Sequence, residues 1–141
     1  MNSLYILEPE VPGHLGARTH LQRDTHPPKV TSLHFVFDGW LGDELLECFP
    51  CYLITNTLAA IFQLAGVTGF ELDDVEIEVS TTFLELYPSK RVPAFKWLKV
   101  TGQEGLDDIS MAPDHRMVVT KSVLDIILGT GPSGLEYIKT G

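Results

Sequence analysis

Tyr52-Leu53-Ile54-Thr55-Asn56-Thr57-Leu58-Ala59-Ala60-Ile61-Phe62-Gln63-Leu64-Ala65-Gly66-Val67-Thr68-Gly69-Phe70-Glu71 carries a complete local plan. Residues 52–54 are apolar and read as a strand. Thr55 is an N-cap residue, whose hydroxyl can accept an orphan backbone N–H of a first helical turn. Leu58, Ile61, Phe62 and Ala65 then fall on one helical face. Gly66 follows as the residue that adopts a left-handed C-terminus without steric cost. Phe70 to Val79 continues as a half-buried strand, with Val75, Ile77 and Val79 on one face and Glu76 and Glu78 on the other.

The same plan recurs at an offset of 65 residues without a gap. Thr55 falls on Thr120, Ile61 on Ile126, Gly66 on Gly131, Gly69 on Gly134 and Glu71 on Glu136, with similar apolar pairs between them. Each match has a structural reason: a cap, a buried face, a left-handed exit or a tight turn. Any strand–helix–strand segment shows some of these signals, but the ungapped register and the shared Gly-x-(Thr/Ser)-Gly-apolar-Glu ending favour repetition over coincidence. Two copies are too few for a solenoid. The expected fold is α+β: a mostly antiparallel or mixed sheet covered by two equivalent helices, with repeat units at about 52–79 and 117–141.

Outward from these units the patterning is plainer. Residues 2–7 read as a short strand ended by Pro9 and Pro12, and residues 13–31 as a long loop or arm holding at most a short helix. Leu33 to Phe37 is a strand stopped by Asp38-Gly39. Leu41, Leu45 and Leu46 have helical spacing, so a short helix or turn is expected over Trp40 to Glu47. Residues 80–94 are a connection, Phe95 to Val100 a strand, Gly102 to Gly105 a turn, and Asp107 to Arg116 a polar loop. Met117 to Val119 and Leu135 to Ile138 are the strands around the second helix, with Val123, Ile126 and Ile127 on its buried face.

With 141 residues, 44% hydrophobic and 21% charged, the whole chain, 1–141, suits one globular domain. Nineteen acids against ten bases give a net charge of −9, which repels nucleic acid and anionic membranes and attracts basic partners. Neither nucleic acid nor membrane is therefore an expected partner. Met1 to Gly13 lacks a basic start and meets Glu8, Pro9 and Glu10 early, unlike a signal peptide. Leu58 to Phe70 is broken by Gln63 and two glycines, and is too short to span a bilayer. A cytoplasmic location is expected, and two cysteines do not make a disulfide scaffold.

Several motifs suggest chemistry without supplying its context. Cys48-Phe49-Pro50-Cys51 is a lone CxxC leading into a strand, whereas redox pairs sit at helix N-termini and structural zinc needs two further ligands. Free thiols are expected there. His14, His20 and His26 recur every six residues, which suits neither one helical face nor a compact ligand pair, so they read as loop histidines. His34 lies in a strand and His115 in a loop, and neither has a carboxylate–nucleophile pair nearby in sequence. Gly129 to Gly134 leaves a helix and enters a strand, the wrong direction for a phosphate cradle. No catalytic residue, metal site or cofactor is assigned.

The acids fall into three clusters: Asp38, Asp43, Glu44 and Glu47; Asp73, Asp74, Glu76 and Glu78; Asp107 and Asp108. A solvated surface explains most of them. Merged into one patch, they would steer a basic partner, and Trp40 beside the first cluster would supply an aromatic anchor. The candidate partner-binding residues are Asp38, Trp40, Asp43, Glu44, Glu47, Asp73, Asp74, Asp107 and Asp108. A buried Trp40 that merely anchors its turn is the competing reading.

Gly42 to Leu46, Phe49 to Thr55, Gly66 to Glu71, Trp97 to Val100, Asp107 to Ile109, Met117 to Thr120 and Ser133 to Glu136 together resemble immunity proteins of polymorphic toxin systems and their uncharacterised relatives. The resemblance covers roughly residues 33–138 and rests on caps, turns and core positions. It implies a protein that binds and blocks a toxin domain made by its own cell or a sibling. The acidic charge fits that role, since an acidic inhibitor can occupy the basic cleft of a nuclease toxin. Two other classes compete: a small-molecule enzyme, which a deep pocket with convergent polar groups would mark, and a homo-oligomeric structural or assembly protein, which a large apolar patch would mark.

Overall fold

The computed structural model describes residues 3–26 and 28–140. Met1, Asn2, Pro27 and Gly141, on which parts of the expected first strand, arm and last unit fall, lie outside the described residues. In chain order the elements are β1 (Leu4–Glu8), β2 (Gly13–Leu15), β3 (His20–Gln22), β4 (Lys29–Phe37), β5 (Leu45–Cys48), β6 (Cys51–Thr55), α1 (Asn56–Leu64), β7 (Phe70–Asp73), β8 (Val75–Val79), α2 (Thr81–Leu86), β9 (Phe95–Val100), β10 (Ile109–Met111), β11 (Met117–Thr120), α3 (Lys121–Leu128) and β12 (Glu136–Thr140). The chain is an α+β protein with open antiparallel and mixed sheets and three helices among the described residues.

The helix starts follow from their caps. Thr55 is extended and its hydroxyl accepts the Leu58 N–H at 3.1 Å. Thr120 holds the same position before α3, but its hydroxyl turns to Asp108 Oδ1, 3.3 Å away, and makes no cap bond. Past α1 the chain turns through Gly66 at φ +70°, and past α3 through Gly131 at φ +72°, a region glycine enters freely. Ser80 caps α2 by accepting the Phe83 N–H at 3.1 Å.

Two sheets have the same order of roles. One runs β5-β6-β9-β7 and the other β10-β11-β1-β12. In each, a hairpin strand pairs with the strand entering a helix, and an antiparallel strand separates that strand from the one leaving the helix. The inserted strand is β9 in one sheet and β1 in the other. A third sheet runs along β4, with β2 and β3 on one edge and β8, parallel, on the other.

The sheets enclose two cores. Leu7, Ile54, Leu58, Phe62, Leu98, Val119, Val123 and Ile127 belong to the first, which joins both helix-bearing sheets to α1 and α3. Leu33, Phe35, Phe37, Leu53, Phe83, Phe95 and Trp97 belong to the second, between β4 and the other face of β6 and β9. Burying such side chains contributes roughly 1.5–3 kcal/mol each before entropy is charged.

Five expectations are corrected. Residues 80–94, read as a connection, contain α2, and Asp107 to Arg116, read as a polar loop, contain β10. The arm at 13–31 contains strands β2 and β3, which pair with β4, and no helix among its described residues. Trp40 to Glu47 is not helical: Leu45 to Cys48 form β5, because pairing with β6 satisfies their backbone and buries Leu45 and Leu46. Phe70 to Val79 is two strands, broken at Asp74, which pair in different sheets.

Candidate functional site

The chain leaves β4 at Asp38 and Gly39, whose N–H groups donate to the Pro12 carbonyl at 2.9 and 3.0 Å. The indole N–H of Trp40 donates to the Asp43 carbonyl at 2.9 Å and closes the turn. The Glu10 carboxylate accepts the Leu41 N–H at 2.7 Å and the Asp43 N–H at 3.4 Å. The Asp43 carboxylate in turn accepts the N–H groups of Ser133 and Gly134, at 2.6 and 2.8 Å. A Cβ on Gly134 would stand 2.9 Å from the Glu10 Cβ and 3.2 Å from Leu41 Cδ1, so only glycine allows this approach.

A second element meets this turn. The ring of Tyr87, at the C-cap of α2, packs on Phe83 with centroids 5.4 Å apart. The Lys90 N–H donates to the Tyr87 carbonyl at 3.1 Å, so Tyr87-Pro88-Ser89-Lys90 folds back on itself. Its ammonium reaches 4.8 Å from the Tyr87 centroid and 5.6 Å from that of Trp40, and donates to the Trp40 carbonyl. Trp40 is held from behind by Phe95, edge to face at 6.2 Å.

Between these elements lies a groove of about 470 Å³, lined by Val11, Asp38, Trp40, Leu41, Tyr87 and Glu10 among others. Val11 and Leu41 are each 62% exposed. Hydrogen bonds from Ser80 and His14 hold the Asp38 carboxyl below the usual carboxylate range; His14 Nδ1 lies 2.7 Å from Asp38 Oδ2. Burial pushes the Glu10 carboxyl up, against the two N–H bonds it accepts, and Asp43 adds to the rise. A groove with aromatic walls and carboxylates on its rim suits a positively charged group.

The other sequence-derived candidates are committed to separate tasks. Asp43 is only 3% exposed, so the expectation that it faces a partner fails: its carboxylate is used inside the fold. Glu44 accepts the Thr55 hydroxyl at 2.7 Å. Glu47, half-buried, has its carboxyl pushed up by burial and then by Glu8. Asp73 and Asp74 pair with Lys99 and Lys96, at 2.7 and 2.8 Å. Asp107 accepts the Gln103 N–H at 2.8 Å. Asp108 accepts the Thr68 N–H at 3.0 Å. Of the nine, Asp38 and Trp40 line the groove.

Trp40 is half-buried: its indole N–H closes its own turn and its ring lines the groove. Glu10, Tyr87 and Lys90 were not singled out from sequence. The Tyr-Pro-Ser-Lys turn was the available signal for two of them.

Two other clusters are separate. His34, buried, accepts the Arg18 backbone N–H on Nδ1 at 3.2 Å, and its Nε2 lies 3.0 Å from a Glu78 carboxylate oxygen and 3.1 Å from Arg18 Nη2. That carboxylate partner, invisible in local sequence, arrives through the parallel pairing of β4 with β8. Arg18 also pairs with Glu76 and Glu78. A more apolar groove of about 330 Å³ lies beside Val30, Tyr52, Trp97 and Met111, where Lys99 covers Trp97 at 4.4 Å and is itself paired with Asp73.

Cys48 and Cys51 flank the β5–β6 hairpin and are buried free thiols. Burial pushes them up to about 11 and about 12. No group of His, Cys, Asp and Glu side chains among the described residues could hold a metal ion, and no helix is long and apolar enough to cross a membrane. No family model matches the chain, and no curated protein is significantly similar to it.

Proposed function

We propose that the chain is an immunity-type binding protein that neutralises a basic toxin domain in the cytoplasm, docking it on the groove between Trp40 and Tyr87. The observation that carries the proposal is that groove: exposed apolar side chains, two aromatic rings and the ionised Asp38 converge there. Aromatic anchors at the centre of a patch dominate protein–protein affinity, and charges at its rim set association rate. A net charge of −9 favours basic partners over acidic ones.

The same reading takes β6–α1–β7 and β11–α3–β12 as two copies of one unit, with α1 and α3 as equivalent covering helices. The matching sheet orders and the left-handed glycines at 66 and 131 support it. Duplication would provide a stiff frame and leave the chain outside the units, including the turn at Trp40 and the α2 segment, free to diversify toward a partner.

The test is growth rescue. A toxin domain found encoded beside this chain's gene would be expressed in a sensitive host with wild-type protein or with the Trp40→Ala variant. Rescue by wild type, lost in the folded variant, is expected. Failure of wild type both to rescue and to bind that domain overturns the proposal.

A further inference from the structure

The cage formed by Trp40 and Tyr87 already holds a cation, and that cation belongs to the chain itself. We propose that the Trp40–Tyr87 ring pair beside the groove is a recognition cage for an arginine side chain of the partner, and that Lys90 occupies this cage as an internal stand-in which the arginine displaces. The inference deepens the binding role above and rests on it for the identity of the partner alone.

Four features support it. First, the Lys90 ammonium lies over both rings, at 4.8 and 5.6 Å, and donates to the Trp40 carbonyl. Such an arrangement is how proteins hold ammonium and guanidinium groups. Second, no carboxylate lies within 4.0 Å of that ammonium among the described ion pairs. Lys90 is thus held weakly, by rings and one carbonyl, on an exposed turn. Third, Asp38 and Glu10 line the groove that adjoins the two rings, and Glu10 feels the charge of Lys90. Asp38 is ionised and already accepts from His14, but a carboxylate has about four acceptor positions. Fourth, the walls are braced by Phe95 and Phe83, so the cage persists when its occupant leaves.

Arginine is better matched to this cage than a second lysine. Its planar guanidinium stacks on ring faces, is weakly hydrated, and offers a fork of N–H donors to a carboxylate. A lysine ammonium would only repeat what Lys90 does. The stand-in also keeps the two rings from presenting bare aromatic surface before binding.

The experiment uses the whole chain without any toxin. N-acetyl-arginine-N′-methylamide and its neutral citrulline counterpart are titrated separately while the indole N–H signal of Trp40 is followed by NMR, with Trp97→Phe to assign it. The arginine probe should shift that signal saturably and the citrulline probe should not. Lys90→Gln should tighten arginine binding by roughly 2- to 5-fold, in keeping with cation–π energies at exposed sites, and Lys90→Ala serves as a second variant. Equal response to both probes, no response to either, or no tightening in either folded variant overturns the proposal. Growth rescue with a silent probe titration removes the arginine pocket and leaves the immunity role. A positive titration without rescue does the reverse.

Discussion

Asp43 holds the backbone of Ser133, 90 residues away in the chain, with its carboxylate 2.6 Å from the Ser133 N–H. Its counterpart is Asp108, which accepts the N–H of Thr68 at 3.0 Å. Thr68 and Ser133 occupy the same place in the two Gly-x-(Thr/Ser)-Gly loops. Each acid therefore stands before the hairpin of one helix-bearing sheet and secures the loop after the other's helix. This cross-bracing predicts coupled stability. Asp43→Ala orphans two partly buried N–H groups and should cost about 2–4 kcal/mol, at roughly 1–3 kcal/mol for each donor left unsatisfied. Asp108→Ala, on a more open loop, should cost less. Urea unfolding of the wild type should show one transition; two separate transitions there would refute the coupling.

Thr55→Ala and Thr120→Ala should differ although the residues occupy equivalent positions. Thr55 accepts a helical N–H, so its loss should cost about 1 kcal/mol. The Thr120 hydroxyl serves Asp108 instead, so its removal should leave the start of α3 intact and loosen the 66–69 loop. Amide hydrogen exchange at Leu58, Val123 and Thr68 separates the two effects.

The cysteine thiols should be chemically silent. Thiols pushed up to about 11 and 12 and buried in a hairpin supply almost no thiolate at neutral pH. A disulfide reagent at pH 8 should label neither thiol in the native chain and both after denaturation. Cys48→Ser with Cys51→Ser should stay folded, with a modest packing loss. Stoichiometric zinc in the purified protein would contradict this.

Glu10 gives a pH signature. Its carboxyl is raised by burial, so the folded state binds this proton more tightly than the unfolded one. Stability from this group is full below the ordinary value of 4.5 and falls as pH rises through the folded value. Asp38, with a lowered carboxyl, acts oppositely and loses its contribution as pH falls. Subtracting the stability curve of Glu10→Gln from that of wild type should leave a downward slope beginning near 4.5. A flat difference curve would be the contrary result.

For the proposed partner complex, Trp40→Ala should raise the off-rate by an amount worth about 2 kcal/mol, as expected for a central aromatic anchor. Asp38→Lys should slow association, most at low salt. Affinity that does not change between low and physiological ionic strength would remove electrostatic steering from the mechanism.

The elements that were legible in sequence are those stabilised by local patterning. Thr55, Leu58, Phe62 and Gly66 announce a helix because cap, face and exit lie within twelve residues. Phe95 to Val100 is a strand as expected. The failures have non-local causes. Leu45 and Leu46 have helical spacing but are claimed by pairing with Leu53 and Ile54. Nothing in 70–79 marks Asp74 as the point where one strand passes between sheets. Ser80 and Phe83 are the cap and the buried anchor of α2, a signal that the prolines at 88 and 93 mask. Of the site, Asp38 and Trp40 were found because an aromatic beside an acid is a local signal. Glu10 and Tyr87 arrive there through tertiary packing.

The placement of β1 has a temporal consequence. Leu4 pairs with Thr120 on one side and Thr140 on the other, so this strand emerges from the ribosome long before either neighbour exists. Its apolar residues must wait for more than a hundred residues of chain. Closing so wide a loop is slow and leaves an unpaired edge exposed meanwhile. Folding of the second helix-bearing sheet thereby waits for β11 and β12 to be made, and a chain cut before them would carry β1 as an orphan strand inviting the wrong partner.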